Sequence, residues 1–106
     1  MKSKFKAIPV VKNPLMHRFE MRIGEHLAYI DYKEKKVKLW LIHTTYPEVY
    51  KADGVIPAII EKTLRDAEQS NLKVIPICPE IVKYIAAHPA WKRVVFAGKD
   101  ELTEEH

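Results

Sequence analysis

A chain of 106 residues with 47% apolar and 30% charged side chains, seven prolines and three glycines has the make-up of one soluble globular domain, long enough to bury a core without staples. Its single cysteine rules out an internal disulfide, no apolar run approaches the ~20 residues of a membrane-spanning helix, and the basic N-terminus lacks the apolar stretch and cleavage site of a secretory signal. The expected location is the cytoplasm. A net charge of +4 favours anionic partners, but the lysines of KSKFK, KEKK and WKR are scattered and no arginine stripe alternates with aromatics, so a nucleic-acid platform is disfavoured.

Residues 1–17 read either as part of the domain or as a loose arm. After them HRFEMRIG, EHLAYIDYKE and KVKLWLIHTTYP alternate apolar and polar residues, the last passing into a solid apolar patch at 39–42. Three antiparallel strands in succession are the simplest account, and the mixed charges of DYKEKKVK predict a solvated hairpin turn between two of them. Past Pro47 the period changes: Ile56, Ile60, Leu64 and Ala67 recur at helical spacing, with Glu61, Lys62, Arg65, Asp66, Glu68 and Gln69 elsewhere on the wheel. Pro57 suits the first turn of this amphipathic helix, and SNL at 70–72 ends it.

KVIPIC is a short run without alternation, as expected of a strand buried on both faces. Pro76 inside it has no N–H for a ladder, which predicts that one side of the strand is unpaired. A second helix is expected from Pro79 to His88, with Ile81, Val82, Ile85 and Ala86 as its apolar positions, and RVVF then reads as a last strand. Residues 99–106 look like a polar tail. The whole is a single α/β (α+β) domain over 1–106 in the order β-β-β-α-β-α-β.

Cys78 falls where the KVIPIC strand ends and the second helix begins. A thiol there is expected near unpaired backbone N–H groups and the positive end of the helix dipole, which lowers its pKa. The alternative is a small buried hydrophobe.

RFE, then HTTYP closing a strand, then Gly54 opening a helix, then VIPICPEIVKYIAAHPAW together resemble the short, single-domain branch of the GNAT-type N-acetyltransferases, over residues 18–96. The resemblance implies a reduced GNAT-like fold that binds acetyl-coenzyme A in the gap where two parallel strands splay apart, and Pro76 fits that gap. It implies that Thr44, Thr45 and Tyr46 offer backbone groups to the acyl and pantetheine part. Lys51, Gly54, Val55 and Ile56 match the turn and helix start that surround the pyrophosphate. His43 is implied as a base, Tyr84 as the acid that protonates the departing thiolate, and Cys78 as a residue near the cofactor's thiol end, transiently acetylated or merely lining the pocket.

The chain departs from the family pattern at several places. Ala52 stands where the family's first glycine is usual, Ile56 where a small residue is usual, and Pro57 removes an N–H. Asp53 adds negative charge beside the proposed phosphates, and Thr45 replaces a carboxylate. The expected function is transfer of an acetyl group from acetyl-CoA to an unidentified amine, with no metal. Two readings of other classes stand beside it: a non-catalytic interaction module with a degenerate CoA site, and a small basic nucleic-acid binder. Nothing in the sequence defines the oligomeric state or the acceptor.

Overall fold

The computed structural model describes residues 3–98. The proposed polar tail at 99–106 lies outside the described residues. Five strands form one sheet in sequence order: β1 (Val11–Asn13), β2 (Arg18–Ile23), β3 (His26–Lys35), β4 (Lys38–Thr45) and β5 (Lys73–Pro76). The pairs from β1 to β4 are antiparallel, and β4 runs parallel to β5. One helical turn, α1 (Ser3–Lys6), precedes the sheet, while α2 (Val55–Gln69) and α3 (Pro79–Ala87) follow β4 and β5.

Alternation in the three central strands becomes a two-faced sheet, as expected of half-buried strands. Phe19, Met21 and Ile23 of β2, Ala28, Ile30 and Tyr32 of β3, and Leu39 and Leu41 of β4 are buried on one face. All the helices cover that face: Phe5 of α1, Val55, Ile59, Ile60 and Leu64 of α2, and Ile81 and Ile85 of α3 join the same apolar cluster. The opposite face carries Arg18, Glu20, Tyr29, Asp31, Trp40 and His43 and has no helix over it among the described residues. Trp40 is shielded there by the Lys33 ammonium, 5.1 Å from its ring centroid.

The charged run DYKEKKVK is mostly strand. β3 and β4 extend to a Lys35–Lys38 pair, leaving only Lys36 and Val37 in the turn, with Lys36 at φ 57. On α2 the expected positions Ile60, Leu64 and Ala67 are buried, Ile56 is only half-buried, and Val55 and Ile59 widen the buried face on its other side. In α3, Ile81 and Ile85 are buried but Val82 and Ala86 are exposed.

Pro76 sits where its missing N–H does no harm. Lys73 and Ile77 donate to the Val37 and Leu41 carbonyls of the β4 segment, so Pro76 falls in the phase that points away from β4. On that outer side the only pairing among the described residues is one bridge, Val74 with Val95, together with Phe96 N–H donating to the Val74 carbonyl at 2.8 Å. RVVF is therefore not a strand. Pro89–Val94 form a 3₁₀ turn instead, and its three-residue period brings Trp91 and Val94 together into the core.

The N-terminal segment packs against the sheet over much of its length, since β1 pairs with β2 and Phe5 is 0% exposed against α2 and edge-on to Tyr50. Phe5→Ala is expected to lower stability by about 3–5 kcal/mol, the usual cost of deleting a buried aromatic side chain. Urea denaturation checks it; a change below about 1 kcal/mol would mean that the arm is loose in solution.

Candidate active site

The β4 strand carries an extra residue near its end. Tyr32 pairs with Leu41 but Asp31 pairs with His43, so Ile42 is a β-bulge. The bulge shifts the side-chain phase: Leu39, Leu41 and Thr44 face the core, while Ile42 and His43 are exposed on the uncovered face. Without it the His43 side chain would point inward.

Pairing between β4 and β5 ends at Leu41 and Pro76. The Leu41 carbonyl then accepts both the Ile77 and Cys78 N–H groups, at 2.9 and 3.1 Å, which turns the chain from β5 into α3. Beyond this point β4 runs on to Thr45 with no described strand on its β5 side, so a gap in the pairing follows Leu41.

Beside the end of this pairing lie Thr44, 5% exposed, and Cys78, 3% exposed, with the Thr44 hydroxyl 3.4 Å from the Cys78 sulfur. Cys78 is the N-cap residue of α3 by its backbone, yet its side chain makes no cap bond to the helix. The sulfur meets a hydroxyl, and no histidine or carboxylate among the described residues bonds to it.

From β4 the chain passes through a short 3₁₀ turn, Glu48–Tyr50, to α2. Tyr46 is half-buried against the core, whereas Lys51 and Ala52 are exposed. The turn spends part of its own donors: Lys51 N–H bonds Glu48, Asp53 bonds Tyr50 and Gly54 bonds Lys51. Gly54 then caps α2 at φ 86, a left-handed conformation that favours glycine. Val55 and Ile56 place N–H groups at the helix start without intrahelical acceptors, and Pro57 has none to place. The Asp53 charge is met by the Lys4 ammonium at 2.8 Å.

A cleft of about 530 Å³ opens between α2 and α3, lined by Gly54, Pro57, Ala58, Glu61, Tyr84, His88 and Trp91. Tyr84 stacks on His88 with ring centroids 4.1 Å apart. Burial and the nearby Glu61 carboxylate push the Tyr84 phenol above its ordinary value, so it holds its proton at neutral pH.

The sequence-derived residues thus fall into three places. Thr44 and Cys78 meet beside the end of the β4–β5 pairing; Gly54 and Tyr84 share the cleft between the helices; His43 stands apart on the uncovered face, its Nδ1 3.4 Å from the Thr45 hydroxyl and its backbone paired with Asp31. Glu61, His88 and Trp91 line the cleft without having been singled out, because their meeting depends on how α2 and α3 pack.

These elements define an α/β domain with a mixed sheet whose one parallel pairing ends beside a buried hydroxyl and thiol. The model of the GCN5-related N-acetyltransferase family matches residues 18–94, and the chain belongs to that family. Its fold is similar to the NMR solution structure of a GCN5-like candidate N-acetyltransferase from Staphylococcus aureus, with a TM-score of 0.65, 18% identity, and coverage of 89% of this chain and 93% of that one. No curated protein matches the sequence. No helix among the described residues is long and apolar enough to cross a membrane.

Proposed function

We propose that the protein transfers an acetyl group from acetyl-CoA to an amine. The observation that carries this reading is the end of the β4–β5 pairing at Leu41 and Pro76, next to the contact between Thr44 and Cys78. The open edge of β4 after Leu41 offers backbone groups to an extended amide-bearing arm such as pantetheine, in the manner of an added strand. Thr44, Thr45 and Tyr46 are the residues beside that arm, and the acetyl group ends above the Thr44 hydroxyl and the Cys78 sulfur. Gly54, Val55 and Ile56 meet the pyrophosphate at the helix start, with Lys51 as an exposed cation nearby.

The acceptor approaches from the uncovered face of the sheet, where His43 is placed to take a proton from its ammonium form. The free amine then attacks the thioester carbonyl carbon. An N–C bond forms and the C–S bond breaks; the former amine nitrogen gives up its remaining excess proton to solvent, and CoA leaves as its thiolate and takes a proton from solvent in turn. Cys78 lines the pocket in this scheme. Tyr84 lines the cleft beside Gly54, with its phenol protonated, and serves cofactor binding.

A non-catalytic module has one observation in its favour, the small number of donors left at the turn once Lys51, Asp53 and Gly54 are used internally and Pro57 is discounted. One experiment separates the two. Acetyl-CoA at 100 times its Kd is expected to add about 2.7 kcal/mol to stability and so to raise the Tm, and CoA release on mixing with a panel of primary amines is expected to exceed the rate without acceptor. A raised Tm with no amine-dependent release leaves a cofactor-binding protein without transfer; no shift at millimolar acetyl-CoA removes the enzyme and leaves the module whose CoA site has degenerated.

A further inference from the structure

A row of side chains crosses three strands on the uncovered face of the sheet. Arg18 of β2 pairs with Asp31 of β3, and Asp31 pairs with His43 of β4, so the three stand side by side on that face. Residues directly opposite in an antiparallel pair have Cβ atoms about 5 Å apart, which sets the Asp31 carboxylate beside the imidazole. The Ile42 bulge creates this row, because the register shift between Asp31 and Tyr32 lets His43 take the place opposite Asp31. On the same strand the Thr45 hydroxyl lies 3.4 Å from the His43 Nδ1.

We propose that Asp31 and Thr45 are positioning residues for proton transfer at His43, the Thr45 oxygen accepting the Nδ1–H and the Asp31 carboxylate stabilising the imidazolium that forms. The inference rests on the acetyl-transfer reading with His43 as its base, and it names the groups that set that base. With the proton of the neutral ring on Nδ1, the Nε2 lone pair is left for the acceptor. An N–H bond of the acceptor's ammonium breaks, an Nε2–H bond forms, and the free amine keeps the electron pair with which it attacks the thioester. Both ring nitrogens then carry protons, Nδ1–H still donating to Thr45 and the new positive charge facing Asp31.

The other charges on this face are engaged elsewhere. Arg18, opposite Asp31 on β2, donates to Glu20 and lays its guanidinium over the Tyr29 ring, 4.3 Å from the centroid. The Arg18 guanidinium, helped by the Asn13 amide at 3.2 Å, holds the Glu20 carboxyl below the ordinary carboxylate range. Lys33 covers Trp40, and Arg22 is exposed two residues past Glu20. On its other side His43 faces no described strand, since the β4–β5 pairing has ended. Asp31 itself is half-buried, and no hydrogen bond or ion pair occupies its carboxylate among the described residues. Its charge is therefore left to the imidazolium, in a site drier than bulk water. The carboxylate comes from β3, whereas on β4 itself the flanking residue is Thr45.

Release of CoA from acetyl-CoA with n-butylamine, followed from about pH 5 to about pH 9, tests this together with nitrogen NMR of the His43 ring. Asp31→Asn is expected to lower kcat/KM about tenfold at neutral pH, and Asp31→Glu, which keeps the charge, to recover most of the loss. Without the carboxylate the imidazole is a weaker base that holds its proton less well. The deficit of Asp31→Asn should then grow as pH rises through the histidine's titration and shrink below it. Taking the ratio of the two profiles cancels the ionisation of the amine itself. A deficit that does not vary with pH, or no deficit, overturns the Asp31 assignment. Thr45→Val is expected to lower kcat about tenfold with the KM for acetyl-CoA unchanged, and Thr45→Ser to recover it. A neutral His43 ring that carries its proton on Nε2 in the unsubstituted protein overturns the Thr45 assignment without depending on any variant. Undiminished release by His43→Gln removes the base and both positioning roles but leaves acetyl transfer standing, whereas no release by the unsubstituted protein with any amine removes the acetyl-transfer reading and these roles together.

Discussion

Gly54→Val is expected to destabilise the protein by about 1–3 kcal/mol and to weaken CoA binding at least about tenfold beyond that loss. Gly54 caps α2 at φ 86, where a β-branched residue is strained in any surroundings. Its Cβ would also stand at the helix start, where on the proposed acetyl-CoA reading the pyrophosphate approaches the Val55 and Ile56 N–H groups. Gly54→Ala separates the two effects, since it carries the backbone strain with a single methyl group. Denaturant melts give the stability term and calorimetry the binding term. CoA affinity in Gly54→Val equal to that of the unsubstituted protein would move the phosphates away from the α2 start, whatever happened to the melting curve.

The same turn shows how far local pattern carries and where it stops. Alternation in RFEMRI and HLAYID placed the central strands because each residue's face follows from its parity, a local property. Helical spacing from Ile56 to Ala67 placed α2, yet Ile56 is only half-buried while Val55 and Ile59 widen the buried face, since the sheet beneath decides which flank is covered. The Ile42 bulge is illegible in the sequence because it exists only relative to β3, where Asp31 and Tyr32 face His43 and Leu41. That one residue decides the face of His43 and so the side from which a base can act.

RVVF has a strand's composition, but Pro89 and the need to bury both Trp91 and Val94 favour a 3₁₀ turn, leaving Val95 a single bridge. Pro76 was informative for the opposite reason. A missing N–H is a property of the residue itself, and an unpaired outer side follows from it. The cleft residues Glu61, His88 and Trp91 carry no local signal at all. Their meeting depends on α2 and α3 lying side by side on one face of the sheet.

Cys78 gives the second large effect. Cys78→Phe is expected to reduce acetyl transfer at least about a hundredfold, because an aromatic ring in the strand gap displaces the acyl group from the line of attack. Overpacking should cost about 1–3 kcal/mol of stability as well. Cys78→Ser is expected to keep activity within a few-fold. The difference follows from the environment of the sulfur. A nucleophilic thiol needs an adjacent base or a stabilised thiolate, but Cys78 is 3% exposed and makes its polar contact with the Thr44 hydroxyl, while His43 points to the other face of the sheet. The same burial is expected to slow alkylation of Cys78 in the folded protein, whereas a reactive thiol at the helix start would alkylate quickly. Mass spectrometry after incubation with acetyl-CoA and no acceptor decides the matter. An acetylated protein whose label disappears in Cys78→Ser, together with loss of transfer in that variant, would make the thiol a covalent carrier; an unmodified protein with an active serine variant leaves it as the wall against which the thioester rests.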